Sequence, residues 1–188
     1  IKNLYINTKP ISINDLKKLI LNIKPSNLRS LVLNDLNEGT IKINFIYNFD
    51  KNFSIQNYQI DGYVRKISGS LFKDVYITDT NFIFSINPTK GNLNEINGRI
   101  NSLPITNGKL NYEKGKDIKI VSNFQTQLDI TQKFIKKVLQ KKNKFEKYLN
   151  NEFLFKGKLN HDLKLVFSNT YELKSYEYDI NGLAKKAY

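Results

Sequence analysis

The chain has 188 residues, 30 of them Lys or Arg against 17 Asp or Glu, for a formal net charge of +13. It holds no Cys, which excludes disulfides and thiolate metal sites. Only Arg29, Arg65 and Arg99 among the basic residues are arginine, and a chain so poor in the bidentate cation is badly equipped to read bases.

No run reaches the roughly 18 to 20 apolar residues of a membrane-spanning helix. The heavy use of Lys, Asn, Ile, Phe and Tyr fits coding in an AT-rich genome, which discounts the charge to a diffuse attraction toward anionic surfaces. The first residue is Ile1 and the chain stops at Tyr188 within a strand-like pattern. From these ends we expect a piece of a longer protein.

In chain order, IKNLYINTK alternates weakly as a strand that Pro10 stops. Ser12 is placed as an N-cap, and Leu16, Leu19 and Ile20 follow at helical spacing, which predicts a short helix over about 13–21. Helical spacing resumes through Leu28, Leu31, Val32 and Leu36, with Gly39 as its expected stop.

From Thr40 the period changes to two. IKINFIYNF places Ile41, Ile43, Phe45, Tyr47 and Phe49 on one side, and FSIQNYQIDGYVRKI follows after a charged turn as the second arm of a hairpin. SLFKDVYIT reads as the next strand, with Asp79 turning the chain into NFIFSI. Further strands are LNEINGRI, ITNGKLNY and DIKIVSNFQTQLDI, separated by NPTKGN and EKGK. Neighbouring strands in sequence favour an antiparallel meander. Three near-repeats, Ile60-Asp61-Gly62, Ile96-Asn97-Gly98 and Ile180-Asn181-Gly182, read equally as hairpin turns or as mid-strand glycines at a bulge.

After Ile130, Thr131 caps an expected amphipathic helix to about Asn150. Phe134, Ile135, Val138, Leu139, Phe145, Tyr148 and Leu149 form its stripe, and lysines largely cover the remainder. Packing of this stripe on the sheet is favoured over a membrane-surface role, in which Lys133, Lys136, Lys137 and Lys141 would meet lipid headgroups or another anionic surface. FLFKGKLNHDLKLVF and YELKSYEYDINGLAKK close the chain as strands.

The fold class expected is therefore mainly β with a few helices, an α+β chain. One domain, or a slice of a longer one, divides into a strand end and short helices at 1–39, an antiparallel sheet at 40–130, the helix at 131–150 and strands at 151–188. His161 is the only histidine and lies on an apolar side without metal or catalytic partners in the sequence. The carboxylates sit singly, and no phosphate loop or nucleophile elbow is present. No enzyme activity and no cofactor are expected.

NLRSLVLNDLNEGTI, with Asp35-Leu36-Asn37-Glu38-Gly39 at the helix-to-strand junction, resembles a segment of the AsmA-like family, in its TamB and YhdP branch. YQIDGYVRKIS, NLNEINGRINSLPITNGKLNYEKG and YELKSYEYDINGLAKK resemble that branch's repeated strand segments. The resemblance runs from about Ile11 onward. It departs from better-known members in lacking the tryptophan of the helical element, near Val32, and the inner-membrane anchor helix.

The resemblance implies an elongated, curved, trough-like sheet with an apolar interior, in a periplasmic protein attached to the inner membrane through sequence not in this chain. It implies that acyl chains of phospholipid are shielded during transport to the outer membrane, or during outer-membrane assembly. Phe82, Phe84, Ile86, Ile118, Ile120, Phe153, Phe155, Leu163 and Leu165 are the groove-facing candidates. The alternative is a non-enzymatic β-rich binding module with a closed core and a basic surface for protein or polyanion partners. Specific nucleic-acid binding is not expected, and the sequence does not fix an oligomeric state.

Overall fold

Strict alternation commits most of this chain to strands, and the computed structural model pairs them into one ten-stranded sheet. It describes residues 3–22, 24–25, 27–72, 75–101, 103–131, 154–170 and 172–187. Strands β1 (Asn3–Asn7) and β2 (Ile11–Ser12) both pair with β3 (Leu36–Phe49). The sheet then follows the chain through β4 (Ile55–Phe72), β5 (Val75–Ile86), β6 (Lys90–Ile100), β7 (Leu103–Lys114), β8 (Ile118–Thr131), β9 (Leu154–Phe167) and β10 (Leu173–Ala187). Every pairing is antiparallel. The result is an open meander with β1 at one edge and β10 at the other, the topology that short connections between sequential strands favour.

Helix α1 (Ile13–Ile20) begins where the spacing predicts. The Ser12 hydroxyl accepts from the Asp15 N–H at 3.1 Å and donates to the Asp15 carboxylate at 2.8 Å. That bond, together with Lys18 one turn on, holds the Asp15 carboxyl below its ordinary range. Helix α2 (Asn27–Ser30) passes into a π-helical turn at Leu31–Asp35, closed by the Leu36 N–H on the Leu31 carbonyl.

This turn corrects the expected stop at Gly39. The helix ends four residues earlier, and Gly39 lies inside β3 at φ 124°, where a Cβ would stand 2.8 Å from the Ile67 Cα. Two further boundaries differ. SLFKDVYIT is the end of β4 and the start of β5, not one strand, and Asp79 is an interior residue of β5 at φ 50°, not a turn. Hydrophobic alternation continues through both places, so periodicity alone does not mark them.

The glycine repeats resolve as mid-strand positions. Gly62, Gly98 and Gly182 lie within β4, β6 and β10. A Cβ on Gly62 would be 2.1 Å from the Lys42 carbonyl oxygen and 2.6 Å from the Phe84 ring, a space only glycine leaves open. Non-glycine residues at positive φ, Lys66, Asp79, Glu95 and Asn107, coincide with register shifts in β4, β5, β6 and β7. They form a line of bulges on four adjacent strands, and each bulge bends its strand and adds right-handed twist.

The buried cluster sits at one corner. Ile13 and Val32 from the helical segment meet Leu36, Val64, Ile67 and Ile77 of the sheet, with Leu16, Ile41, Phe82 and Phe84 against them. The amphipathic helix expected after Thr131 falls outside the described residues, and Thr131 itself ends β8.

Candidate apolar binding face

Directly opposed residues of paired strands lie on one face, so the register sorts the whole sheet. Leu4 and Ile6 of β1 oppose Tyr47 and Phe45 of β3, and Phe45 opposes Ile60 of β4. Ile60, Gly62 and Val64 oppose Ile86, Phe84 and Phe82 of β5, and Phe84 opposes Leu93 of β6. Leu93 opposes Leu110, Tyr112 opposes Ile120, and Ile120 opposes Leu165, which opposes Tyr176 of β10. One apolar face thus runs from the first edge strand to the last.

The neighbours of these residues in sequence form the other face. Asn44, Gln59, Asp61, Asn81, Asn97, Lys119, Asn123, Gln125, Lys164 and Glu177 belong to it. Its cations alternate with carboxylates and amides: Lys164 pairs with Glu177 at 3.0 Å and Lys90 with Glu113 at 3.3 Å.

The register brings together most of the residues singled out from sequence. Phe82, Phe84 and Ile86 stand in a row on β5, with the Phe82 and Phe84 rings 6.4 Å apart. Ile120, Leu163 and Leu165 share the same face on β8 and β9. Phe82, Phe84, Ile120, Leu163 and Leu165 are half-buried, Phe82 and Phe84 against the corner cluster, and Ile86 is exposed. Ile118 differs: at 2% exposure it is core and offers no contact surface. Phe155 occupies the register position opposite Ile130. Phe153, Lys133, Lys136, Lys137 and Lys141 lie outside the described residues.

Only eight apolar side chains among the described residues are fully buried, and six of them belong to the corner cluster under the helical segment. Across β6 to β10 Ile105 and Ile118 are buried, while Leu93, Tyr112, Phe124 and Leu163 are half-buried and Tyr178 is exposed. Leu93, Leu110, Tyr112 and Phe124 join it by register and were not singled out in advance. Their signal was available in the same alternation, but the bulges in β6 and β7 shift its phase within each strand.

One polar row interrupts the face. The His161 ring stacks on Phe124, with centroids 4.6 Å apart and planes 6° from parallel. Its Nε2 lies 2.8 Å from Thr126 Oγ1 and its Nδ1 lies 2.7 Å from the Tyr178 hydroxyl. A neutral imidazole donates through one nitrogen and accepts through the other, so the row satisfies all of its ring groups. Thr126 and His161 are buried, at 5% and 8% exposure. Burial lowers the His161 pKa below the ordinary histidine range, and the charge of Asp162 opposes that shift.

The polar face carries a ladder of carboxamides across the strands. Asn97 Oδ1 accepts from the Asn107 N–H at 3.1 Å, and Asn107 Nδ2 donates to Gln125 Oε1 at 3.0 Å. Gln125 Nε2 donates to Asn160 Oδ1 and Asn160 Nδ2 to Asn181 Oδ1, both at 3.0 Å. The bulges at Asp79 and Glu95 are tied the same way, by Asn81 and Asn97 donating to the carbonyls two residues back. Beside the bulge line lies a depression of about 840 Å³ that includes Tyr63, Arg65, Asn81, Glu95 and Asn97. The Arg65 guanidinium sits 4.9 Å from the Tyr63 ring centroid. Among the described residues no group of three His, Asp or Glu side chains is placed to hold a metal ion.

No family model matches the chain, and no curated protein or solved structure matches it.

Proposed function

We propose that the chain is a length of apolar-faced sheet that shelters lipid acyl chains, in the manner of the AsmA-like proteins its strand segments resemble. The observation that carries this reading is the apolar face itself. It runs from β1 to β10, interrupted by the Thr126–His161–Tyr178 row, and among the described residues the helical segment covers only its corner. Burying acyl methylenes there is worth about 0.8 kcal/mol each, while headgroups stay in water beyond the edge of the face. The contact requires no reacting group, so the protein would act without catalysis and without a cofactor.

The finer architecture belongs to the same reading. The bulges in β4 to β7 bend neighbouring strands at one level, which would curve the sheet into a trough with the apolar face inside. The few helices would then cap one end of an otherwise β protein. A phospholipid partner, a periplasmic location and attachment to the inner membrane through sequence outside this chain follow from the resemblance.

Adjacent residues of β8 supply the test. Ile120 is on the apolar face and Val121 on the polar one, 39% exposed. Ile120→Asp is expected to cut phospholipid co-purified with the folded protein by about tenfold, because a carboxylate is not tolerated against acyl chains. Val121→Asp is expected to leave recovery unchanged. Equal lipid recovery from both folded variants contradicts the proposal and returns the face to ordinary packing in a closed binding module.

A further inference from the structure

We infer that the polar face carries a groove for an uncharged, hydroxyl-rich polymer, a linear β-1,4-linked glycan lying across the strands. The groove is on the side opposite the apolar face, so the inference does not rest on acyl shelter. It starts from the bulges. Alternation would send the adjacent Arg65 and Lys66 to opposite faces. The bulge at Lys66, with φ 50°, lets both line the depression of about 840 Å³. Glu38 of β3 and Glu95 of β6 line it too, and among the described residues none of these four charges has an ion-pair partner. The polar groups are nevertheless held in place. Arg65 lies on the Tyr63 ring, and Asn81 and Asn97 are tied to the carbonyls of the bulged residues. Such preorganisation lowers the cost of ordering on binding.

The depression does not end at β6. Asn97 bonds Asn107 of β7, and the carboxamide ladder leads on to a second depression of about 300 Å³ across β7 to β10. Asn107, Asn123, Gln125, Asn160 and Asn181 line it, with Asp162 as its one charged residue. Gln125 and Asn160 each commit one N–H and one carbonyl lone pair to their neighbours in the ladder. A carboxamide has two of each, so both keep a donor and an acceptor for a ligand.

These groups select the class of occupant. Cations and carboxylates share the first depression in equal number, and amides dominate the second. The partner must therefore donate and accept along its whole length without net charge, as sugar hydroxyls do. A polyanion would meet Glu38, Glu95 and Asp162, and an acyl chain would leave the amides unpaired. Spacing agrees with this choice. From Glu38 on β3 to Asn181 on β10 the groove crosses seven strand intervals, about 34 Å at the usual separation. In an extended β-1,4-linked chain each ring advances by nearly one such interval, so a hexasaccharide fits.

Titration of cellohexaose and chitohexaose into the 188-residue chain, followed by calorimetry and NMR, tests the inference. Saturable binding of at least one is expected, with shifts in the side-chain amide signals of Asn81, Asn97, Gln125 and Asn160. The methyl signals of Ile120 and Leu165, on the apolar face, are expected to stay in place. Arg65→Ala changes an exposed side chain and is expected to weaken binding about tenfold, the effect of losing one charged hydrogen-bonding group. Lys119→Ala, on the polar face outside both depressions, is expected to leave affinity unchanged. Absence of saturable binding to both hexasaccharides overturns the inference, and so does equal affinity in the parent and Arg65→Ala. Tighter binding of polyphosphate than of either sugar also overturns it and makes the face a polyanion site. Shifts confined to Ile120 and Leu165 would place the sugar on the wrong face and overturn it as well.

Discussion

His161 shows how a polar residue is accommodated on an apolar face. Both ring nitrogens are paired, to Thr126 and Tyr178, and Phe124 covers the ring. Its lowered pKa has a definite consequence for stability. In the unfolded chain the imidazole takes up its proton near the ordinary value, about 6.5. The folded state stays neutral to lower pH, so below that value the unfolded state binds more protons and stability falls. The contribution is complete above about pH 6.5 and is lost as pH drops toward the lowered value. Denaturation midpoints measured from pH 7.5 down to about 5 are expected to fall less steeply in His161→Gln than in the parent protein. Parallel slopes would show that His161 does not titrate with unfolding. At the same scale, the lone histidine was readable as a residue on an apolar side without catalytic or metal-binding partners. Its partners were not, because they come from β8 and β10, and only register joins them.

Among the elements, α1 is the one whose contribution divides most cleanly between its faces. Ile13 is 2% exposed against the sheet corner, whereas Leu19 is 58% exposed on the same helix. Ile13→Ala is expected to cost about 2–5 kcal/mol in chemical denaturation, as large-to-small changes in a packed site do. Leu19→Ala is expected to stay within about 0.5 kcal/mol. Equal effects would mean that the helix does not hold the corner. This helix was legible because its cap, its acidic first turn and its spacing agree. The strand boundaries near Leu36, Phe72 and Asp79 were less so. At Asp79 and Glu95 the chain makes a left-handed step without glycine, at a cost of roughly 1–2 kcal/mol. Asn81 and Asn97 offset part of it by bonding the carbonyls two residues back. The local signal is an asparagine two positions after the bulged residue, too small to stand out in a chain rich in asparagine.

At the level of the molecule, one open sheet divides the side chains into an apolar face and an amide-rich face that carries its charges as well. Period-two alternation with strands adjacent in sequence favoured the antiparallel meander, and the register places Phe82, Phe84, Ile120, Leu163 and Leu165 on a common side. Alternation did not distinguish Ile118, which is fully buried, from Ile120, two residues on and half-buried. Ile118 opens β8 opposite Lys114 of β7 and Phe167 of β9, neighbours that only the register supplies. The glycine repeats also had two local meanings, and the close approach of Phe84 to Gly62 selects one of them. The most direct measurement on the proposed role uses a photoreactive benzophenone amino acid at Ile120 or at Val121. The protein is irradiated with vesicles of phosphatidylethanolamine and phosphatidylglycerol, and adducts are read by mass spectrometry. An acyl-sheltering face predicts phospholipid adducts at position 120 and little or none at 121. Adducts at neither position, or equally at both, would contradict it.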